Sequence, residues 1–153
     1  VVDPAKEWMR KNDNFAYPIR LIQKFEGEDQ TILFLLELLS LENDDFSPNK
    51  KIHLLSHLQN FKHKAIVKQL PQYLNDFNED VRFATIQGLA NQKDQDNIPH
   101  LLQQMSQESS NRLRDCSATL FVEENWSIDP QQELNREKVP VGFVIDGDYL
   151  KQR

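Results

Sequence analysis

Two stretches 32 positions apart constrain this chain more than any other feature. Residues 78–89 read NEDVRFATIQGL and residues 111–121 read NRLRDCSATLF, with Leu113, Arg114, Cys116, Ala118 and Phe121 each lying 32 positions after Val81, Arg82, Ala84, Ile86 and Leu89. Each stretch combines a polar helix start, a branched apolar anchor, an arginine and a face of small residues. A fixed offset of this kind means that one supersecondary unit is used more than once. A helical hairpin of about 30 residues cannot bury its own apolar face, so neighbours must stack, and roughly three are needed for stability.

The rest of the chain is read around that period. Asp3 before Pro4 predicts a helix start, with the carboxylate capping and proline at the first helical position, and a short helix to about Lys11. Asn14 predicts the cap of a second helix with Phe15, Ile19, Leu21, Ile22 and Phe25 on its apolar side, closed by Gly27 in a left-handed cap. Residues 31–41 are apolar at Ile32, Leu35, Leu36, Leu38 and Leu39, which places this helix in the middle of the core. A turn cluster at residues 44–48 restarts a helix whose apolar face is Ile52, Leu54, Leu55, Leu58 and Phe61. The next helix carries Ile66, Val67, Leu70, Tyr73 and Leu74, and Pro71 inside it predicts a bend. Asn78 caps the helix of the first stretch, a polar corner near Asp94 leads to Ile98, Leu101, Leu102 and Met105, and a last long helix runs from Ser109 or Ser110 to about Asn125.

Paired, these helices give hairpins over about residues 31–62, 63–92 and 95–126, with an atypical N-terminal cap over 3–27, all within a helical domain of residues 1–129. Residues 130–153 form a tail. Within it a short helix to Arg136 and a β-hairpin over 141–151 are expected, the latter turning at Asp146 and Gly147 because that pair tolerates positive φ. The fold class is therefore all-α, an α-solenoid of antiparallel helical hairpins with a short extended or β-hairpin tail.

Composition agrees and narrows the function. With 39% hydrophobic and 27% charged residues and only four glycines, the chain reads as soluble and helical. The longest apolar run, residues 32–41, is ten residues, about half of a ~20-residue membrane crossing, so no membrane contact is expected. A net charge of −6 opposes binding to phosphate backbones, which argues against nucleic acid. Cys116 is the lone cysteine, read as a buried packing residue because Ala84 holds the equivalent position, and a reducing, cytoplasmic setting is the expectation. The start at Val1 without methionine reads as a piece of a longer chain.

No catalytic constellation stands out. His53 and His57 are four apart on a helix, a metal-compatible spacing, but Leu54 occupies the position where the zinc-protease motif needs glutamate, and with Asn60 they read as a solvated stripe. Asp146, Gly147 and Asp148 lack the further ligands of a calcium loop and read as a plain turn. No metal and no cofactor is expected. Charge is segregated along the chain, with seven acidic and no basic residues over 26–45, then five lysines and no acidic residue over 49–69. Neighbouring helices would compensate one another, or the acidic region would attract a basic partner segment.

Residues 78–90, NEDVRFATIQGLA, resemble the second helix of a HEAT repeat, and residues 108–121, ESSNRLRDCSATLF, look like a divergent further copy. The resemblance covers about residues 31–126. The whole chain also resembles small, uncharacterised bacterial HEAT-repeat proteins ending in a tryptophan-containing helix and a VPVGF-like tail. It implies a non-enzymatic scaffold or adaptor that binds a protein partner on a concave face lined by second helices, with Arg82, Gln87, Arg112 and Arg114 as candidate contacts. The competing implication is an enzyme on such a scaffold, similar to the alkylpurine DNA glycosylases or the bilin lyases. The acidic balance and the placement of Trp8 and Trp126 near opposite ends of the chain disfavour it.

Overall fold

The computed structural model describes residues 1–44, 47–128 and 136–153. Among them the chain forms eight α-helices: α1 (Val2–Lys11), α2 (Ala16–Glu26), α3 (Glu28–Ser40), α4 (Asn49–Leu58), α5 (Lys64–Gln69), α6 (Glu79–Asn91), α7 (Ile98–Gln107) and α8 (Asn111–Glu123). Two antiparallel strands follow, β1 (Phe143–Asp146) and β2 (Tyr149–Gln152). The fold is thus the helical class with a short C-terminal hairpin that the sequence indicates. Part of the 44–48 turn and most of the short helix expected before Arg136 fall outside the described residues. The chain divides into two compact units, Val1–Lys93 and Asp94–Arg153.

In the first unit α3 is the centre. It buries Thr31, Ile32, Phe34, Leu35, Leu36, Leu38 and Leu39, while Gln30, Leu33, Glu37 and Ser40 form an exposed stripe, and α2, α4 and α5 pack around it. On α4, Leu54, Leu55 and Leu58 are fully buried between α3 and α6, each such leucine contributing about 1.5–3 kcal/mol through lost apolar exposure. Pro71 does not bend a continuous helix. Instead α5 stops at Gln69 and the chain tightens into a 3-10 helix over Leu70–Asn75, because proline sits near the start of that turn where its missing N–H costs nothing. That 3-10 turn lies close against α6. A Cβ on Gly88 would stand 3.0 Å from the Leu70 side chain, so a glycine there permits the approach.

The N-terminal boundaries differ from the sequence reading. Helix α1 begins two residues earlier, so Asp3 sits in its first turn with no side-chain cap at Val1, where the carboxylate favours the positive helix end. Helix α2 is preceded by buried Phe15, not capped by Asn14, and Phe25 is exposed at its far end. Gly27 does close α2 with φ 89, but ψ of 174 is extended, and α3 starts at the next residue.

In the second unit α7 and α8 form a hairpin whose buried side chains include Leu101, Leu102, Met105, Leu113, Ala118 and Phe121. The Trp126 ring meets the Phe121 ring edge-on at 5.3 Å between centroids. Strand β2 packs on α8, which supplies the apolar cover that a two-stranded hairpin lacks alone. The turn is one residue later than expected. Asp146 pairs with Tyr149, so the loop is Gly147 and Asp148, and only Gly147 takes positive φ (63), the pattern of a type II′ turn.

Candidate functional site

The 32-residue offset extends well beyond the helices that reveal it. Each second helix is entered through the same corner. Before α6, one carboxylate oxygen of Asp76 accepts the Asn78 backbone N–H at 2.9 Å, and the Asn78 side chain accepts the N–H groups of Asp80 and Val81 at 2.9 and 3.1 Å. Before α8, Glu108 accepts the Ser110 N–H at 3.0 Å, and the Ser110 hydroxyl accepts the Leu113 N–H at 3.3 Å. These caps satisfy helix N–H groups that no carbonyl reaches. The arginines complete both corners. Arg82 Nη1 donates to the carbonyls of Asp76 and Phe77 at 3.0 and 3.1 Å, while Arg114 Nη1 donates to the Glu108 carbonyl at 3.0 Å and Nη2 donates to Asn111. Past the helix ends, Lys93 and Asn125 both take left-handed φ, 54 and 51, and these too are 32 apart.

The second oxygen of each carboxylate is buried, and its partner differs. Asp76 Oδ2 meets Lys51 Nζ of α4 at 2.7 Å, with the two side chains only 8% and 6% exposed. Glu108 Oε2 accepts from Gln104 Nε2 at 2.7 Å, and Gln104 Oε1 accepts from the Ser117 hydroxyl at 2.9 Å. Amides make further ties inside the first unit: Gln92 donates to the Phe61 carbonyl at 2.7 Å and accepts the His63 N–H at 2.9 Å, and Gln69 donates to the Leu36 carbonyl at 2.9 Å. Reading periodicity could not find Lys51, Gln92 or Gln104, since a buried polar residue looks like a solvated one until its partner is known.

Among the four residues singled out for contact, Arg82, Gln87 and Arg114 are half-buried and Arg112 is exposed, and the two half-buried arginines turn back to their own corners. On α6, Val81, Ala84, Thr85, Ile86, Gly88, Leu89 and Ala90 are buried, the row of Asp80, Phe83, Gln87 and Asn91 has exposed ends and a half-buried middle, and Glu79 and Arg82 are half-buried beside it. The equivalent row on α8 is Arg112, Asp115, Thr119 and Glu123. Cys116 is half-buried, not the buried packing residue its alignment with Ala84 implies.

His53 and His57 do not form a free stripe. His53 Nδ1 lies 2.7 Å from the Asp13 carbonyl, and both rings meet the buried Phe15 ring edge-on, at 6.4 and 6.1 Å between centroids. Beside them Lys50 donates to the Arg10 carbonyl at 2.6 Å, so this side of α4 grips the α1–α2 connection. Burial first, and His53 second, hold the His57 imidazole below its ordinary range. Among the described residues no three His, Cys, Asp or Glu side chains converge as a metal site.

The segregated charges are partly compensated within the first unit. Lys50 reaches Glu42 at 3.8 Å, Lys6 reaches Glu26 at 2.8 Å and His63 lies 3.7 Å from Asp29, while Glu28 and Glu37 are exposed. An open cleft of about 450 Å³ lies at α1 and α2, lined by Ala5, Trp8, Tyr17 and Leu21 among others. Its aromatic walls are outward, Trp8 at 52% and Tyr17 at 72% exposure, and the Trp8 Nε1–H is held by the Asn14 carbonyl at 3.2 Å. No helix of the described residues is long and apolar enough to cross a membrane.

Stacked helical hairpins entered through repeated corners define a helical-repeat protein. The model of the HEAT-repeat family matches residues 32–119, more than half of the chain, and the chain belongs to that family. Searches of curated proteins and of solved structures returned no match. HEAT repeats are commonly scaffolds for protein interaction.

Proposed function

We propose that this chain is a non-enzymatic protein-binding scaffold whose contacts are made by the outward rows of its second helices. The observation that carries this reading is the row on α6 in which the half-buried Phe83 is flanked by Asp80, Gln87 and Asn91. An aromatic anchor in a polar surround is the arrangement in which interface energy concentrates. Gln87 and, in the other unit, Arg112 are the contact residues in this reading. Arg82 and Arg114 serve it indirectly, by fixing the helix starts so that the rows are presented rigidly. A partner with a basic segment would also meet the exposed Glu28 and Glu37 of α3, with an association rate that falls as salt is added.

The test is capture of partners by the intact protein, compared with a Phe83→Glu, Gln87→Arg variant and with Arg82→Ala. The reading expects one specific partner to be lost from the row variant and only weakened by Arg82→Ala, with helical content unchanged in both. An identical set of captured proteins from all three would sink it.

A further inference from the structure

The helical hairpins leave the C-terminal strands unused, and their backbone bonding has a consequence of its own. Arg153 N donates to the Gly142 carbonyl at 2.8 Å, which makes those two a hydrogen-bonded pair. Bonded and non-bonded pairs alternate along an antiparallel ladder, so Val144 with Lys151 and Asp146 with Tyr149 are bonded pairs in the observed register. The N–H and carbonyl groups of Phe143 and Ile145 therefore point the other way, away from β2.

Strand β2 has neighbours on both sides. Beyond it Ser127 bridges Tyr149, and Ile128 N donates to the Asp148 carbonyl at 2.5 Å. Strand β1 has only β2 among the described residues. Of its outward groups the Phe143 N–H is used, donating to the Pro140 carbonyl at 3.1 Å in the turn that enters the strand. Among the described residues the Phe143 carbonyl and both backbone groups of Ile145 have no partner and form an open edge. Native edges are ordinarily blunted by lysine, proline or a bulge. The sequence of β1, Phe-Val-Ile-Asp, has none of these, and its one charge is taken up by Lys151, which bonds Asp146.

Beside this edge lies an open cleft of about 520 Å³ lined by Val139, Phe143, Val144, Ile145, Gly147 and Arg153. Val141, in the turn leading into the strand, is 100% exposed. The cleft therefore offers a donor and two acceptors at strand spacing, branched apolar side chains and one cation, the Arg153 guanidinium.

We propose that the β1 edge is a docking site for an extended segment of a partner protein, which adds as a strand beside Phe143–Asp146 and places a carboxylate against Arg153. Main-chain bonds to Ile145 supply the register, Val139, Val144 and Ile145 receive alternate apolar side chains, and Arg153 selects for an acidic segment over a basic one. This site is separate from the helix rows and does not depend on them.

The experiment uses the full chain, isotope-labelled, titrated with two ten-residue peptides of alternating valine and threonine, one ending in two glutamates and the other in two lysines. The acidic peptide is expected to protect the Ile145 amide from hydrogen exchange while the Val144 and Asp146 amides, already bonded to β2, change little. Ile145→Pro removes the outward N–H where an edge strand tolerates proline, and it should weaken binding at least about tenfold. Ile145→Thr, which keeps the N–H, should bind as the parent does. Arg153→Glu, remote from any fold-critical bond of its side chain, should reverse the preference towards the basic peptide. The proposal is overturned if neither peptide protects Ile145, if Arg153→Glu leaves the preference unchanged, or if Ile145 is protected without peptide in a manner that grows with protein concentration, since a second copy then holds the edge.

Discussion

The two corners that open α6 and α8 have the same plan and different anchors. In both, a carboxylate accepts the N–H of the capping residue and an arginine six positions later returns to the carbonyl of that acidic residue. At the first corner the buried oxygen of Asp76 is met by Lys51, 25 positions back on α4, so the corner ties one hairpin to the preceding one. At the second, Glu108 is met by Gln104 four positions back, and Ser117 completes the chain inside the same hairpin. The residue equivalent to Ser117 is Thr85, whose hydroxyl turns to the Val81 carbonyl at 2.7 Å instead. The extra methylene of glutamate allows the carboxylate to fold back on its own hairpin, while the shorter Asp76 leaves room for an outside cation. A helical repeat can therefore keep one corner geometry and vary the side chain that meets its buried carboxylate oxygen.

This contrast sets an order of expected effects. Lys51→Met should be the most damaging, costing about 3–5 kcal/mol in denaturant unfolding, because it leaves the Asp76 charge buried and unmatched. Adding Asp76→Asn to that variant should recover much of the loss, since a neutral amide still accepts the Asn78 N–H and needs no counter-charge. A cost below about 1 kcal/mol for Lys51→Met would show that the link between hairpins contributes little. Glu108→Ala should cost about 2 kcal/mol, from the lost bond to the Ser110 N–H and the unsatisfied Gln104 amide, and hydrogen exchange should quicken in α7 and α8. Unchanged exchange in α7 and α8 would show that the chain of Ser117, Gln104 and Glu108 does not hold this hairpin together.

Smaller effects follow for the arginines. Arg82→Ala should cost about 1–2 kcal/mol and Arg114→Ala about 1 kcal/mol, measured as shifts in thermal midpoint, because Arg82 serves two backbone carbonyls and Arg114 one, together with Asn111. If Arg114→Ala proves the costlier of the two, the count of carbonyls is the wrong basis for ranking them.

The fold was legible because apolar spacing and cap residues are local signals. Ile32 to Leu39, the Asn78 cap and the offset between residues 81–89 and 113–121 are all visible without coordinates. What stayed hidden is chemical equivalence without identity. Asp76 and Glu108, Asn78 and Ser110, Lys93 and Asn125 fill matched roles at the same 32-residue offset, yet share no letters. Long-range polar ties were hidden too. Lys51 reads as one of five basic residues on a solvated stretch, and only its approach to Asp76 distinguishes it from Lys62 or Lys68. The candidate contacts divided for the same reason: the arginines stand out in sequence because the corners need them, while the row of Phe83 and Gln87 carries no sequence signal beyond helical spacing.

The smallest effect concerns pH, and it also separates the two corners. Helix α4 carries both the Lys51 link to the following hairpin and the His53 and His57 grip on the preceding connection, whereas no histidine falls among residues 104–117. Burial holds His57 below its ordinary value of 6.5 in the folded chain, so the unfolded chain takes up its proton first as pH falls. Stability from this residue is therefore fully present above 6.5, declines as pH drops through that value, and is lost once pH passes below the lowered folded value. Protection factors in α1, α2 and α4, taken relative to the intrinsic exchange rate at each pH, should fall on acidification through this window while those in α7 and α8 are unaffected by this residue. His57→Gln, which keeps a polar side chain of similar reach without a titrating ring, should flatten the response in α4. A His57→Gln protein with an undiminished pH response would place the titration elsewhere in the first unit and remove this histidine from the coupling between hairpins.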